Sequence, residues 1–403
     1  MTQNRRLHPA LRTSLLLIAG GLLGVQLGCS GSDESGSDAA PEPARPTLPV
    51  SNHPPGGLEV AEVPLFVVVG NDDNAFTGAD GQGGLRFLIE LFEGRVNPAG
   101  SGNAATYDGA PVHFSMYVET DYIETWSQDS TSEVKREWRT AYEAGHEIGM
   151  HTHTHSHGSA FTADEWEAEI GTCQDWITRE WNPSAVSFET CGIGVPAEEV
   201  IGFRTPFLEY NDALFDVLLA HGVRYDCSIQ EGFGADEVPS DYIWPYLLDD
   251  GSPSDPTVGS HPGLWELPVY AYVVPPDEEC EQYGVDPGLR DALAERNPDF
   301  DPATGKVTGL DYNLWSDLDL SGAEFFAVHA YTLDQRLAGN RAPLTLGLHT
   351  DLYHPESWDG PEMEGSTAEE RLQALQDVFE YAIDLPQVRL VNGAELLQWL
   401  EDP

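Results

Sequence analysis

Lysine is almost missing from this chain. Only Lys135 and Lys306 occur in 403 residues, and Lys and Arg together number 19 against 68 Asp and Glu, a formal net charge of −49. A surface so poor in cations repels nucleic-acid phosphate and anionic headgroups, which excludes nucleic acid as a partner. It weakly attracts cationic polymers. It also suits a protein kept hydrated in salt, where screening removes the self-repulsion. The apolar stretch near the start, Leu15 to Val25, is only about 11 residues, too short to span a bilayer. No Cys-x-x-Cys pair occurs among the five cysteines, so a zinc–thiolate centre is not expected. Internal repeats are absent as well.

What is present is a folding chain. The hydrophobic fraction is 40% and the aromatic fraction 10%, enough for a substantial core. The length allows two or three domains, or one large α/β domain with insertions. Arg5, Arg6 and Arg12 precede the short apolar stretch, the pattern of an export signal. It ends in Gln26-Leu27-Gly28-Cys29, which resembles a bacterial lipobox, with Gln26 in place of the usual Leu. Residues 1–28 are therefore expected to be a lipoprotein signal peptide, with Cys29 as the lipidated residue. The alternative is an ordinary signal peptide cut nearby. Residues 29–58, rich in Ser, Gly, Asp and Pro, are expected to be a flexible tether, and residues 59–403 the catalytic body. The expected location is outside the cytoplasm on a bacterial membrane, the lipid anchor being the only membrane contact. Without Cys29, Cys173, Cys191, Cys227 and Cys280 remain. An even number in an exported protein permits two disulfides in three pairings, and Cys173–Cys191 with Cys227–Cys280 is the expected one.

From residue 59 on, strand and helix patterns alternate. Val63–Gly70 is a continuous apolar run that suits a strand buried on both faces. Val112–Val118, His146–Met150, Val200–Arg204, Val223–Ile229, Glu266–Tyr270, Leu344–His349 and Gln387–Val391 are further strand candidates. Thr162-Ala-Asp-Glu165 is a capping box that opens a helix running to about Trp181. Ala323–Leu337 and Thr367–Ile383 also have helical spacing. This alternation predicts a parallel sheet or a β/α barrel, with chemistry at the C-terminal ends of the strands. Residues 231–262 and 275–320 read as long inserted loops.

Four motifs fall at such strand ends. Asp72-Asp73 follows the first strand. Side chains of adjacent residues diverge, so one carboxylate can hold a metal while the other faces a water, although a lone Asp-Asp is also an ordinary solvated turn. His151, His153, His155 and His157 alternate after another strand. Neutral imidazoles bind Zn²⁺ and similar ions, and an i, i+4 pair shares one helical face. Either His151/His155 or His153/His157 fits, and spacing alone does not choose. Arg204-Thr-Pro206-Phe207 offers a guanidinium to orient a carboxylate and a backbone N–H for an oxyanion. Leu348-His349 puts a general-acid candidate on a late strand.

The order Asp-Asp, Gly-His-Glu-Ile-Gly-x-His-Thr-x-x-His, Arg-x-Pro-Phe and a late Leu-His resembles the polysaccharide deacetylases of the NodB-homology type, carbohydrate esterase family four. Trp244-Pro-Tyr246, Gly263-Leu-Trp265-Glu-Leu-Pro268 and Asn340-Arg-Ala-Pro343 look like the chitin deacetylase-like subgroup. The resemblance covers about residues 60 to 395. It implies a distorted β/α barrel with fewer than eight complete units. Asp73, His151 and His155 would hold one divalent ion, Zn²⁺ or else Co²⁺ or Mn²⁺. Asp72 would be the general base, Arg204 its holder, Phe207 an oxyanion donor through its N–H, and His349 the general acid. Asp226 would support the acid, and Trp265 would line an acetyl pocket. Departures are Gly70-Asn71 before the pair and Asn74 after it, Phe207 for Tyr, and Gly347 for the Leu before the last His.

The expected reaction is metal-dependent removal of acetyl groups from a polysaccharide or oligosaccharide. N-deacetylation of N-acetylglucosamine units, in a chitin-like or peptidoglycan-like chain, comes first. That is hydrolysis of a carbon–nitrogen bond other than a peptide bond. The alternatives are an O-acetyl esterase acting on xylan or a similar glycan, and a non-catalytic lipoprotein that binds metal or glycan.

Overall fold

The computed structural model describes residues 50–74, 77–78, 84–121, 131–184, 191–354 and 363–403. The expected signal peptide, Cys29 and most of the tether lie outside them. Twelve strands are described: β1 (Leu65–Asp73), β2 (Ser115–Val118), β3 (Glu147–Met150), β4 (Gly202–Phe203), β5 (Tyr225–Asp226), β6 (Gln230–Glu231), β7 (Tyr246–Leu247), β8 (Trp265–Glu266), β9 (Val269–Val273), β10 (Lys306–Thr308), β11 (Leu344–His349) and β12 (Val388–Val391). Nine of them form one curled sheet in the order β11-β1-β2-β3-β4-β5-β8-β7, with β12 also on β1. All pairs are parallel except β7 with β8. β10, β9 and β6 make a second, small sheet. The fold is thus a curled α/β half-barrel, in keeping with the expected distorted β/α barrel.

The sheet is buried on both sides, which is why β1 reads as an unbroken apolar run rather than an alternating one. Val67, Val69, Met116, Val118, Ile148 and Met150 face an outer layer of helices, among them Ala163–Thr178, Gly322–Ala338 and Ala368–Asp384. Phe66, Val68, Tyr117, Tyr225 and Trp265 face the other way, into an interior closed by Trp399 of the helix Gly393–Glu401. The capping box expected at Thr162 is formed: the Glu165 N–H donates to Thr162 Oγ1 (3.3 Å), and the Thr162 N–H to Glu165 Oε2 (2.8 Å).

Three expectations change. The four cysteines are buried and free, so neither disulfide forms. Cys173 lies in the helix-facing core, whereas Cys227 lies in the barrel interior beside Arg204. The inserted loops are not featureless. They contain β7, β10 and the helices Asp277–Cys280 and Leu289–Arg296. The end of the tether is bound to the body: the Trp244 N–H donates to Ser51 O (2.8 Å), and Asn340 Nδ2 to Asn52 O (2.7 Å). No helix among the described residues is long and apolar enough to cross a membrane.

Candidate active site

Register brings the site together. Asp72 at the end of β1 pairs directly with His349 at the end of β11, and Asp73 with Val118 of β2. Alternation along β1 sends Asp72 and Asp73 to different sides. The chain must then turn sharply, and both Asp73 (φ 64°) and Asn74 (φ 65°) adopt the left-handed region. Asn tolerates that region better than most residues, which explains how Asn74 replaces the glycine the family pattern has there. Its amide also stitches the turn, donating to Asn71 O (2.8 Å) and Tyr117 O (3.1 Å).

Asp73, His151 and His155 offer ligand atoms that all lie within 4.8 Å of one another. Asp73 Oδ1 is 3.6 Å from His151 Nε2 and 3.3 Å from His155 Nε2. Two atoms each ~2.1 Å from a tetrahedral ion stand about 3.4 Å apart, so these spacings match a shared ion. Asp73 Oδ1 is buried and has no hydrogen-bond donor among the described residues. His151 Nδ1 sits 2.7 Å from Arg204 O, and a carbonyl can only accept, so Nδ1 carries the proton and Nε2 presents its lone pair. The donor set therefore fits a divalent cation. Burial, with help from Asp72 and Asp311, pushes the Asp73 pKa up to about 7 against the pull of His349. Burial also lowers His151 well below its ordinary value and His155 to about 4. Burial thus keeps both imidazoles in the neutral form that binds metal, while a cation beside Asp73 would offset the burial that disfavours its carboxylate.

The histidine segment is not a helix, which corrects the i, i+4 helical reading. Positive φ at Thr152 (68°) and His155 (51°) folds it back so that His151 and His155 converge. His153 instead meets Thr120 Oγ1 (2.8 Å) and Trp176, and His157 bonds Glu209 Oε1 (3.0 Å).

Asp72 faces the barrel interior, where Arg204 is fully buried. Arg204 Nη1 donates to Asp72 Oδ1 (2.8 Å), Nε to Cys227 O (3.1 Å), and the guanidinium lies over the Tyr117 ring. Gly70 makes this close approach workable, since a Cβ there would sit 2.8 Å from Arg204 Nη2 and from Tyr117. His349 Nε2 is 4.0 Å from Asp72 Oδ2. Burial disfavours protonated His349, but Asp311 (2.6 Å from Nδ1), Asp72 and Asp73 outweigh it and raise the pKa to about 10. Asp311 also takes the His349 N–H (2.9 Å).

Asp311 is the partner that sequence reasoning missed. It lay in a stretch read as loop, one carboxylate among 68 acidic residues. The expected supporter, Asp226, does other work: it accepts Ser228 Oγ–H (2.7 Å), and Ser228 Oγ accepts the Thr205 N–H (2.9 Å). Asp226 thus braces the turn that carries Phe207 (φ 56°), whose exposed ring stacks on His157. Trp265 is 5% exposed and pairs in register with Tyr225, so it packs the barrel interior instead of lining an acetyl pocket. Gly347 is explained by Leu310, whose Cδ2 lies 2.0 Å from where a Cβ would be; Leu310 fills the space of the usual Leu.

Comparison with known proteins agrees with these motifs. The polysaccharide deacetylase family model matches residues 107–225, the stretch holding His151, His155, Arg204 and Phe207. Chitin deacetylase 8 of Bombyx mori is 26% identical over 231 residues, 55% of this chain and 50% of that protein, so the match spans half the length of that relative. A Mycobacterium smegmatis protein solved as a candidate polysaccharide deacetylase is 17% identical with a TM-score of 0.46, covering 87% of this chain and 94% of that one. Over residues 107–225, the stretch with the histidine and arginine motifs, this chain matches the polysaccharide deacetylase model, and with its chitin deacetylase relative this makes it similar to the polysaccharide deacetylases of the NodB-homology, carbohydrate esterase family four type.

Proposed function

We propose that this protein is a metal-dependent carbohydrate N-deacetylase, exported and tethered through lipidated Cys29. The observation that carries the reading is the meeting of a three-ligand corner (Asp73, His151, His155) with a held base (Asp72–Arg204) and a held acid (His349–Asp311). Asp73, His151 and His155 would hold a divalent ion, with Zn²⁺ first and Co²⁺ or Mn²⁺ as alternatives, which would supply Lewis acidity toward the acetyl carbonyl and the attacking water. Asp72, oriented by Arg204, removes the proton of the attacking water. The Phe207 N–H donates to the oxyanion of the tetrahedral intermediate. Protonated His349 gives its proton to the departing nitrogen as the carbon–nitrogen bond breaks, releasing acetate and a free amino sugar.

The test is acetate release from N-acetylglucosamine oligomers and from acetylxylan, after chelation and after Zn²⁺, Co²⁺ or Mn²⁺ is restored. Metal-dependent release from the N-acetyl oligomers is expected. Release from acetylxylan alone would move the protein to the O-acetyl esterases, and release from neither would end the enzymatic reading. Replacing Cys29 with Ala should free the protein from the membrane fraction.

A further inference from the structure

A cleft of about 590 Å³ lies beside the turn that carries Phe207. Leu208, the next residue, is part of its wall, together with Tyr210, Glu231, Phe233, Glu237 and Asp255. Its size is that of a small-ligand site, about 300–1,000 Å³. Most of this wall comes from residues 228–255, outside the motifs assigned to the reaction.

The chemistry of the wall has one sign. Three carboxylates border the cleft, and no Lys or Arg is among its lining residues. Lys306 donates to Gly234 O and so supports the loop, but it is not part of the wall. Glu231 is only 3% exposed. Its Oε1 takes bonds from Tyr246 OH and Ser254 Oγ, both 2.8 Å. Two donors thus fix the orientation of this buried carboxylate in the wall of the cleft. Asp255 is also oriented, by Tyr210 OH (3.0 Å) and Thr257 Oγ1 (2.7 Å). Phe233, 40% exposed, adds an aromatic surface suited to the C–H face of a sugar ring.

We propose that this cleft binds a glucosamine unit bearing a free ammonium group, so that the enzyme favours glycan chains already partly deacetylated. The proposal rests on the deacetylase reading of the neighbouring centre. Hydroxyls and an acetamide could donate to these acceptors but would leave the buried carboxylate charge uncompensated. An ammonium brings three donors and the opposite charge, and charge-assisted bonds are about twice as strong as neutral ones. The chain's overall charge of −49 draws a polyamine in the same direction. Each acetyl group removed creates one more ligand for the cleft.

Calorimetric titration of the full chain with a glucosamine tetramer and with an N-acetylglucosamine tetramer tests this. The wild type should bind the glucosamine tetramer roughly tenfold more tightly, the size of one charge-assisted bond, and the ratio should shrink with salt. Glu231→Gln, and separately Glu237→Gln on the loop, should each reduce that ratio. Equal affinities in the wild type, or a ratio unmoved by both substitutions, would overturn the assignment. Acetate release without the ratio leaves the deacetylase reading standing and refutes the cleft. A ratio lost in both variants of a protein that releases no acetate upholds the cleft and refutes the deacetylase.

Discussion

The two halves of the candidate site are built on different terms. In the acid–base half each reactive side chain is held by another residue: Asp72 by Arg204, His349 by Asp311 through both its ring and its backbone N–H. In the metal half His151 is oriented from behind by Arg204 O, yet Asp73 Oδ1 is buried with no donor among the described residues. The first half is complete in protein alone. The second would be completed by a cation, because an unpaired buried carboxylate oxygen is otherwise costly. A change in one half should therefore show in the rate or its pH profile, and a change in the other in ion content.

The largest effect should come from breaking the metal half. His151→Ala should lose the bound ion and all turnover, measured by metal analysis and acetate release. Asp72→Asn, by contrast, should keep one ion per chain and lose roughly 10²–10⁴-fold in rate, the range for a general base. The Asn carbonyl still accepts from Arg204, so the fold should hold. Retained ion in His151→Ala, or near-normal turnover in Asp72→Asn, would collapse the division between the halves.

Asp311→Asn should act on pH. His349 donates a proton, so it works only while protonated, and its raised value of about 10 keeps it so across neutral pH. Without the Asp311 charge the value falls, because burial presses it down and only Asp72 and Asp73 remain to hold it up. Wild-type turnover should hold on its alkaline side to about pH 10. In the variant the alkaline fall should begin at a lower pH than in the wild type. The sign for stability follows from the same shift. A histidine raised on folding contributes fully below about 6.5, and the contribution is lost as pH rises through about 10. The variant should therefore melt lower than the wild type at neutral pH, and the gap should close above pH 10. Identical pH profiles would mean Asp311 does not hold the acid.

What could be read from sequence was what local pattern encodes. β1 was visible because a strand covered on both faces is apolar throughout, and the helix at Ala163 because its cap is written in Thr162 and Glu165. The Asp72, Asp73, Arg204 and His349 positions were visible as strand-end motifs. The histidine register was not written in the spacing and came only with the family resemblance. It depends on positive φ at Thr152 and His155, residues that carry no glycine to announce it. Cysteine parity misled, because pairing needs proximity that counting cannot supply. Asp311 and Trp265 turned on three-dimensional facts: which carboxylate of a distant loop reaches His349, and whether a strand residue faces a site or the barrel interior.

The smallest expected effect sharpens the comparison most. The four histidines alternate within seven residues, so a protein that merely collects metal would use all of them. His153 is instead engaged with Thr120 Oγ1 and the Trp176 ring. His153→Ala should cost about 1 kcal/mol of stability through the lost hydrogen bond, seen as a slightly lower melting temperature. Ion content and turnover should stay at the wild-type level, because neither Asp73 nor the two ligand imidazoles depends on His153. If His153→Ala instead lowers ion content as much as His151→Ala does, the metal is shared along the whole histidine run, and the corner formed by Asp73, His151 and His155 is not the binding site.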